Sequence, residues 1–242
     1  MNLIIDIGNT QVKLAVYEEY KQIHFACSST PIVDFIPSII QKFPQIRYAI
    51  VASVRKNAEK VIELVQQNNI QCYLLNPDLP IPLENLYESK NTLGYDRLAA
   101  CAGANTLYPN NPVLVIDAGT AITFDFVNNQ KQYLGGCISP GILMRYKALH
   151  QFTQKLPLLN IDTDYQLIGT NTNKAITGGV QNGIIFEVDC YINELKETYP
   201  DLKVIITGGD GSFIKEQIKN EVKLDLNILL AGLNHMLEFN LV

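Results

Sequence analysis

The chain has 242 residues, enough for one large domain or two of about 120 residues each. Apolar residues make up 47% and charged residues 18%, which excludes a disordered or fibrous chain and fits a globular one. A formal charge of −5 argues against broad binding of nucleic acid or anionic membrane, so any polyanionic ligand must be held by local backbone and cation geometry.

Strand patterns at 2–6 and 11–17 form a hairpin, and a third strand follows at 21–28. A helical pattern over 31–43 puts Ile32, Phe35, Ile36, Ile39, Ile40 and Phe43 on one face, with Pro37 pointing to a later start. A strand at 46–53, a helix at 56–69 and a strand at 70–75 complete this series. After the proline-rich stretch 77–82, residues 93–107 read as a helix closed by Pro109. The order then restarts with strands at 113–117, 121–127 and 131–137, a helix at 140–152 and a long helical region at 172–198. Gly178, Gly179 and Gly183 inside that region predict close backbone packing or a bend. A strand at 202–207 and helices at 210–219 and 227–238 close the chain, with Ile228, Leu229, Leu230, Leu233 and Leu237 as core. The repeat predicts two related α/β domains, 1–110 and 111–242.

Each half opens with the same device. Asp6-Ile7-Gly8-Asn9-Thr10 and Asp117-Ala118-Gly119-Thr120 both follow a short apolar strand and precede a second strand. Asp-x-Gly is ordinary β-turn chemistry when it occurs once. Twice, at matching points, it also suits phosphate, because glycine lets backbone N–H groups approach the anion while the acid holds a hydrated cation beside it. The glycine-rich strand end Thr207-Gly208-Gly209-Asp210-Gly211 offers close approach to a purine or ribose. Together these predict phosphoryl transfer. No G-x-x-x-x-G-K-[ST] loop occurs, so a P-loop is not the route.

Between the halves, Gly94-Tyr95-Asp96-Arg97 opens a helix whose free N–H groups can receive an anion. Arg97 can pair with a carboxylate in bidentate fashion, and Asp96 can accept a proton from a hydroxyl. Equally, Asp96 can be a helix-start acid favoured by the dipole and Arg97 a surface ion-pair partner.

Cys27, Cys72, Cys101, Cys137 and Cys190 are scattered without a C-x-x-C pair, so reduced buried thiols are expected in place of zinc or disulfides. The first residues run straight into a strand and no apolar run approaches the ~20 residues that span a bilayer, so a cytoplasmic protein is expected. His24, His150 and His235 suggest surface or packing roles, and Arg145 and Lys147 solvated charges. Asp125, alternating with Phe124 and Phe126, reads as solvent-facing, with a site role left open by its motif.

The two phosphate motifs and the segment 206–211 resemble those of the acetate and sugar kinase, heat-shock 70 and actin superfamily. Nearly end to end, the chain resembles the type III pantothenate kinases. The likeness is carried by Asp6-x-Gly8-Asn9-Thr10, Gly94-x-Asp96-Arg97-Leu98 and Asp117-x-Gly119-Thr120-Ala121-x-Thr123-x-Asp125. It continues through Gly135-Gly136-x-Ile138-x-Pro140-Gly141, Leu156-Pro157, Gly169-x-Asn171-Thr172 and Thr207-Gly208-Gly209.

The resemblance implies two tandem ribonuclease-H-like (actin-like ATPase) domains, each a mixed five-stranded sheet flanked by helices, with the active site in the cleft between them. It implies transfer of the ATP γ-phosphoryl group to pantothenate, the first step toward coenzyme A. Asp6, Ile7, Gly8, Asn9, Thr10, Gln11, Val12 and Lys13 would form the first ATP loop, Asp6 holding Mg²⁺ through water, and Thr120 would contact phosphate. Asp96 would be the base, and Tyr87, Gly94, Tyr95, Asp96, Arg97 and Thr172 would line the pantothenate site. Asp117 would bind K⁺ or NH₄⁺, and a homodimer would complete the substrate site. Two rival readings are a kinase of another small acceptor and a non-catalytic transcriptional regulator related to the family. Retention of Asp6, Asp96 and Asp117 favours an enzyme over the regulator. A filament-forming actin-like ATPase fits poorly, since the chain is short for the usual inserted subdomains.

Overall fold

Strand β1 (Asn2–Ile7) is an almost unbroken apolar run because both of its faces are covered, as for a central strand of a mixed sheet. It pairs antiparallel with β2 (Val12–Glu18) and parallel with β4 (Tyr48–Ser53). With β3 (Lys21–Ser28) and β5 (Gln71–Leu74) at the edges, the order is β3-β2-β1-β4-β5. This computed structural model describes residues 1–8, 11–28, 35–53 and 58–241.

The period-2 alternation of β1 sorts its side chains onto two layers. Leu3, Ile5 and Ile7 join Ile36 and Ile39 of α1 (Ile36–Lys42) and Val61 and Val65 of α2 (Ala58–Gln66) in one core. Pro37 stands in the first turn of α1, where its missing N–H goes unused; residues 31–34 of the predicted helix lie outside those described. On the opposite face Asn2 donates to Asn234 Oδ1 at 2.9 Å and to Glu238 Oε1 at 2.6 Å, both on α7 (Ile228–Phe239). Asp6 shares that second face with Asn2 and Ile4.

Helix α3 (Tyr95–Leu107) packs along α7 through two glycines. A Cβ at Gly103 would stand 2.3 Å from the Ile228 carbonyl oxygen, and one at Gly232 only 1.7 Å from that of Ala99. The helices are in backbone contact there. This packing joins Asn227–Val242 to Met1–Pro109 and Lys131–Tyr133 in one compact unit. Sequence order alone had given the last helix to the second half. The same unit contains β6 (Glu84–Asn85), which pairs with Gln132 and Tyr133 at the start of β9 (Gln132–Pro140).

The second unit comprises Asn110–Gln130 and Leu134–Leu226. Its central strand β7 (Val113–Ala118) pairs antiparallel with β8 (Ala121–Val127) and parallel with β10 (Lys203–Thr207). The sheet order is β11-β10-β7-β8-β9-β6, six strands where five were expected, because the two-residue strands β6 and β11 (Lys223–Leu224) are too short to announce themselves in sequence. Helices α4 (Ile142–Gln151), α5 (Thr172–Thr198) and α6 (Gly211–Gln217) enclose a core that includes Ile116, Phe124, Ile184, Val188 and Ile206. Helix α5 runs unbroken over the predicted span. Of its glycines, Gly178 is in close contact, its Cβ position being 2.5 Å from the Gln166 carbonyl, whereas Gly179 meets nothing within 4 Å.

Two sequence expectations are corrected. Cys101 is buried, but Cys27, Cys137 and Cys190 are exposed and Cys72 is half-buried, so buried thiols are the exception. Burial pushes the Cys72 thiol up to about 11. Asp125 is 2% exposed, because both faces of β8 are covered at that point, and it accepts a hydrogen bond from Thr123 Oγ1 at 2.9 Å. Among the described residues no helix is long and apolar enough to cross a membrane.

The glycine contacts give a paired prediction. Gly232→Ala should lower the unfolding free energy by about 2–4 kcal/mol through backbone overlap with Ala99. Gly179→Ala, in open space on a helix, should raise it by up to about 1 kcal/mol. Urea denaturation followed by circular dichroism distinguishes the two signs.

Candidate active site

In the first unit, a cluster forms where α3 begins. Gly94 caps the helix in an extended conformation (φ −64°, ψ 127°), and Asp96 sits in the first turn, where the helix dipole favours a carboxylate. The Arg97 N–H donates to Asp96 Oδ1 at 2.9 Å, which orients the carboxylate. A Cβ at Gly94 would stand 2.4 Å from that same oxygen, so glycine makes room for it. Arg97 is 9% exposed, and its guanidinium carbon lies 5.9 Å from the centre of the Tyr87 ring, within cation–π range. Tyr87 in turn meets the buried Tyr133 ring at 6.1 Å. The neighbouring Tyr95 hydroxyl is pushed above its ordinary range by burial and then by Asp78. The Asp96 carboxylate is thus held at the helix start by the Arg97 N–H, while the Arg97 guanidinium stands over Tyr87 and Tyr87 packs on Tyr133. Nothing in the sequence pattern pointed to Tyr133, which arrives by strand pairing.

The first Asp-x-Gly loop stands in the same unit. Asp6 is opposite Lys13 in the β1–β2 register, so acid and base project from the same face. The Gly8 N–H donates to the Gln11 carbonyl at 3.0 Å and closes the turn. Ile7 and Val12 are buried, leaving only their backbone groups for a ligand. Asn9 and Thr10 lie outside the described residues.

In the second unit, the Gly119 N–H donates to the Ala121 carbonyl at 3.0 Å, making this hairpin one residue tighter than the first. Asp117 stands level with Thr207 of β10, which brings the glycine-rich strand end alongside. Gly208 has φ +88°, and a Cβ there would fall 2.4 Å from the Ala118 carbonyl oxygen and 2.5 Å from Asp117 Oδ1. Only glycine meets both demands. The Asp210 N–H donates to the same Ala118 carbonyl at 2.9 Å.

A cavity of about 330 Å³ follows, lined by Gly119, Thr120, Leu143, Met144, Lys147, Gly209 and Asp210. Lys147 is exposed, as its reading as a solvated charge expects, and it also stands at the wall of this cavity. Its spacing from Leu143, one helical turn earlier, was the available signal. Arg145, by contrast, is no free charge, since it is half-buried and paired with Glu187. Thr172 belongs to this second unit, at the first turn of α5 behind an N-cap in which Asn171 Oδ1 accepts from the Lys174 N–H at 3.0 Å. It lines a larger cavity of about 720 Å³ with Arg145, Leu149, Leu156, Ile176 and Val180.

Comparison with known proteins bears on all of these residues. A family model described as type III pantothenate kinase matches residues 2–194. Across 240 residues the chain is 41% identical to the type III pantothenate kinase of Bacteroides fragilis, covering 99% of this chain and 98% of the relative. It is 39% identical over 240 residues to that of Phocaeicola vulgatus, covering 99% of each. Among solved structures, a Campylobacter jejuni protein described as a Baf family transcriptional activator superposes with a TM-score of 0.64 at 24% identity, covering 98% of both chains. A glucokinase from an Antarctic psychrotroph gives a TM-score of 0.53 at 15% identity, again covering 98% of both. At those identities the structural likenesses show the fold alone, an α/β arrangement of mixed sheets flanked by helices.

Burial raises Asp210 above the ordinary carboxylate range. The folded protein therefore holds this proton more tightly than the unfolded chain does, and the associated stability is present at low pH and lost as pH rises through the folded value. Asp210→Asn should accordingly melt at a higher temperature than the parent at about pH 7, with the difference vanishing at about pH 3. Paired thermal melts at the two pH values check this.

Proposed function

The chain belongs to the type III pantothenate kinase family, and from that premise we propose how its residues carry the phosphorylation of pantothenate by ATP. The observation that supports the reading most directly is the start of α3, where the Arg97 N–H orients the Asp96 carboxylate and the Arg97 guanidinium stands over the Tyr87 ring. Phosphoryl transfer asks the protein for in-line positioning and neutralisation of charge more than for covalent chemistry. A carboxylate with one oxygen already committed to the Arg97 N–H keeps the other for the pantothenate hydroxyl. As the new P–O bond forms and ADP leaves, the hydroxyl proton passes to Asp96. Arg97, steadied by the Tyr87 ring, pairs with the pantothenate carboxylate through its planar fork. Gly94 and Tyr95 shape the same wall, and Thr172 contributes a further substrate contact.

The ATP phosphates take the backbone of the loop from Asp6 to Lys13 and the Thr120 hydroxyl. The adenosine takes the cavity beside Gly209 and Asp210. The donor chemistry suits hard cations, which prefer oxygen. Asp117 Oδ1 and the Ala118 carbonyl oxygen both lie against the Gly208 backbone, and K⁺ or NH₄⁺ would be held at the Asp117 carboxylate. By the likeness to the family, Asp6 would hold Mg²⁺ through water. These cations would supply the positive charge that a chain of net charge −5 lacks.

A homodimer belongs to the same proposal, the partner completing the substrate site. Exposed Phe152, Leu167, Ile168 and Phe186 of the second unit provide apolar surface for it. Sedimentation of a monomer at assay concentration would remove the dimer.

Asp96→Asn should lower turnover by roughly 10²–10⁴-fold with folding intact; near-normal turnover in the folded variant would take Asp96 out of the base role. Arg97→Lys should raise the KM for pantothenate by about tenfold with little change in that for ATP. The reaction itself is tested by ADP release from ATP and Mg²⁺. Release should require pantothenate and should fall when K⁺ is replaced by Na⁺. Release indifferent to pantothenate would sink the function, and release indifferent to K⁺ would unseat Asp117 alone.

A further inference from the structure

Arg145 lies one turn into α4 and reaches back over the start of its own helix. Its Nε donates to the Pro140 carbonyl at 2.9 Å and its Nη2 to Ser139 Oγ at 2.9 Å. The same Nη2 pairs with Glu187 Oε2 on α5. One guanidinium thus ties the end of β9, the first turn of α4 and the middle of α5. The residue it clamps, Pro140, precedes Gly141, whose N–H donates to the Thr120 carbonyl at 3.1 Å. Gly141 is also packed directly on the second Asp-x-Gly loop. A Cβ there would fall 2.2 Å from the Gly119 carbonyl oxygen and 2.6 Å from that of Thr120. With backbone against backbone and no side chain between, a shift of 140–141 displaces Thr120 directly.

We propose that Arg145, held by Glu187, is a positioning residue for the phosphate loop at Gly119 and Thr120. It acts through Pro140 and Gly141 and touches no substrate. The inference rests on the reading of Thr120 as an ATP contact. The guanidinium fork is what the role requires, since three acceptors in different directions need separate, rigidly spaced donors. A lysine at 145 keeps the charge opposite Glu187 but has one donor atom where the guanidinium uses two, Nε toward Pro140 and Nη2 toward Ser139. Arg145 also lines the cavity that contains Thr172, so a direct role toward the acceptor is the competing account.

The test compares Arg145→Lys, Glu187→Gln, the double variant and Thr120→Ala in steady-state assays with ATP and pantothenate varied separately. Thermal melting runs alongside. Arg145→Lys should raise the KM for ATP by about tenfold while leaving that for pantothenate within about twofold. Glu187→Gln should move the ATP value in the same direction, and the double variant should be no worse than Arg145→Lys, as expected for one connected network. A lowered melting temperature with both KM values unchanged would make the network purely structural and overturn the proposal. A raised pantothenate KM with an unmoved ATP KM would overturn it in favour of the Thr172 cavity. An ATP KM that moves in Thr120→Ala but not in Arg145→Lys refutes the positioning role alone. One that stays put in Thr120→Ala removes the loop from the nucleotide site, and the proposal with it.

Discussion

At the crossing of α3 and α7, Gly103 and Gly232 allow two helix backbones to touch, and the first unit is organised around that contact. Helix α3 is buried along most of its length from Arg97 onward, and it carries few large side chains. Its small residues would make a poor core against bulky neighbours. They make a good one against an apolar helix that can approach to backbone distance, and α7 supplies that helix. The start of α3 follows from its axis, so the placement of Asp96 and Arg97 depends on a packing event at the opposite end of the sequence. Asn2, by bonding to Asn234 and Glu238, ties the same helix to the first strand, which carries Asp6 next to its last residue.

The second unit uses the same economy of space around its own loop. Gly141 and Gly208 both stand where a Cβ would overlap backbone oxygens of 118–120, from two different sides. The loop is therefore gripped by main chain, which neither changes rotamer nor swings away. Side chains enter one layer further out, in Arg145 and Glu187. This ordering explains why a short motif such as Pro140-Gly141 can matter to a loop twenty residues earlier in the chain.

An acidic protein that handles highly charged anions must solve an electrostatic problem locally. Cationic side chains are few at the two loops: Lys13 stands opposite Asp6, and Lys147 lines the cavity beside Thr120. Under the proposed function the rest of the attraction would fall to backbone N–H groups and to cations held by oxygen donors, chemistry that glycine-rich turns support well. Buried Arg97 is a different case. Its charge is sheltered under an aromatic ring, which favours a specific partner over general attraction.

Much of this was legible in the residues alone. The paired strands around both Asp-x-Gly turns, the 172–198 helix and the helix start at Gly94-x-Asp96-Arg97 all announce themselves through short-range periodicity and turn chemistry, because the forces that form them act between near neighbours. What covers each face was decided by tertiary structure. Asp125 alternates as though exposed, yet it is buried because both sides of its strand are covered. Helix α7 reads as the end of the second half, yet it packs with the first, where Gly232 and Gly103 let the two helix backbones touch. Arg145 reads as a solvated charge, yet Glu187 of α5 pairs with it. The sequence by itself determined the local elements and the motifs they carry. Their grouping into two units, and the company each polar side chain keeps, came from which surfaces could approach closely enough to exclude water, a property of distant pairs that no local pattern encodes.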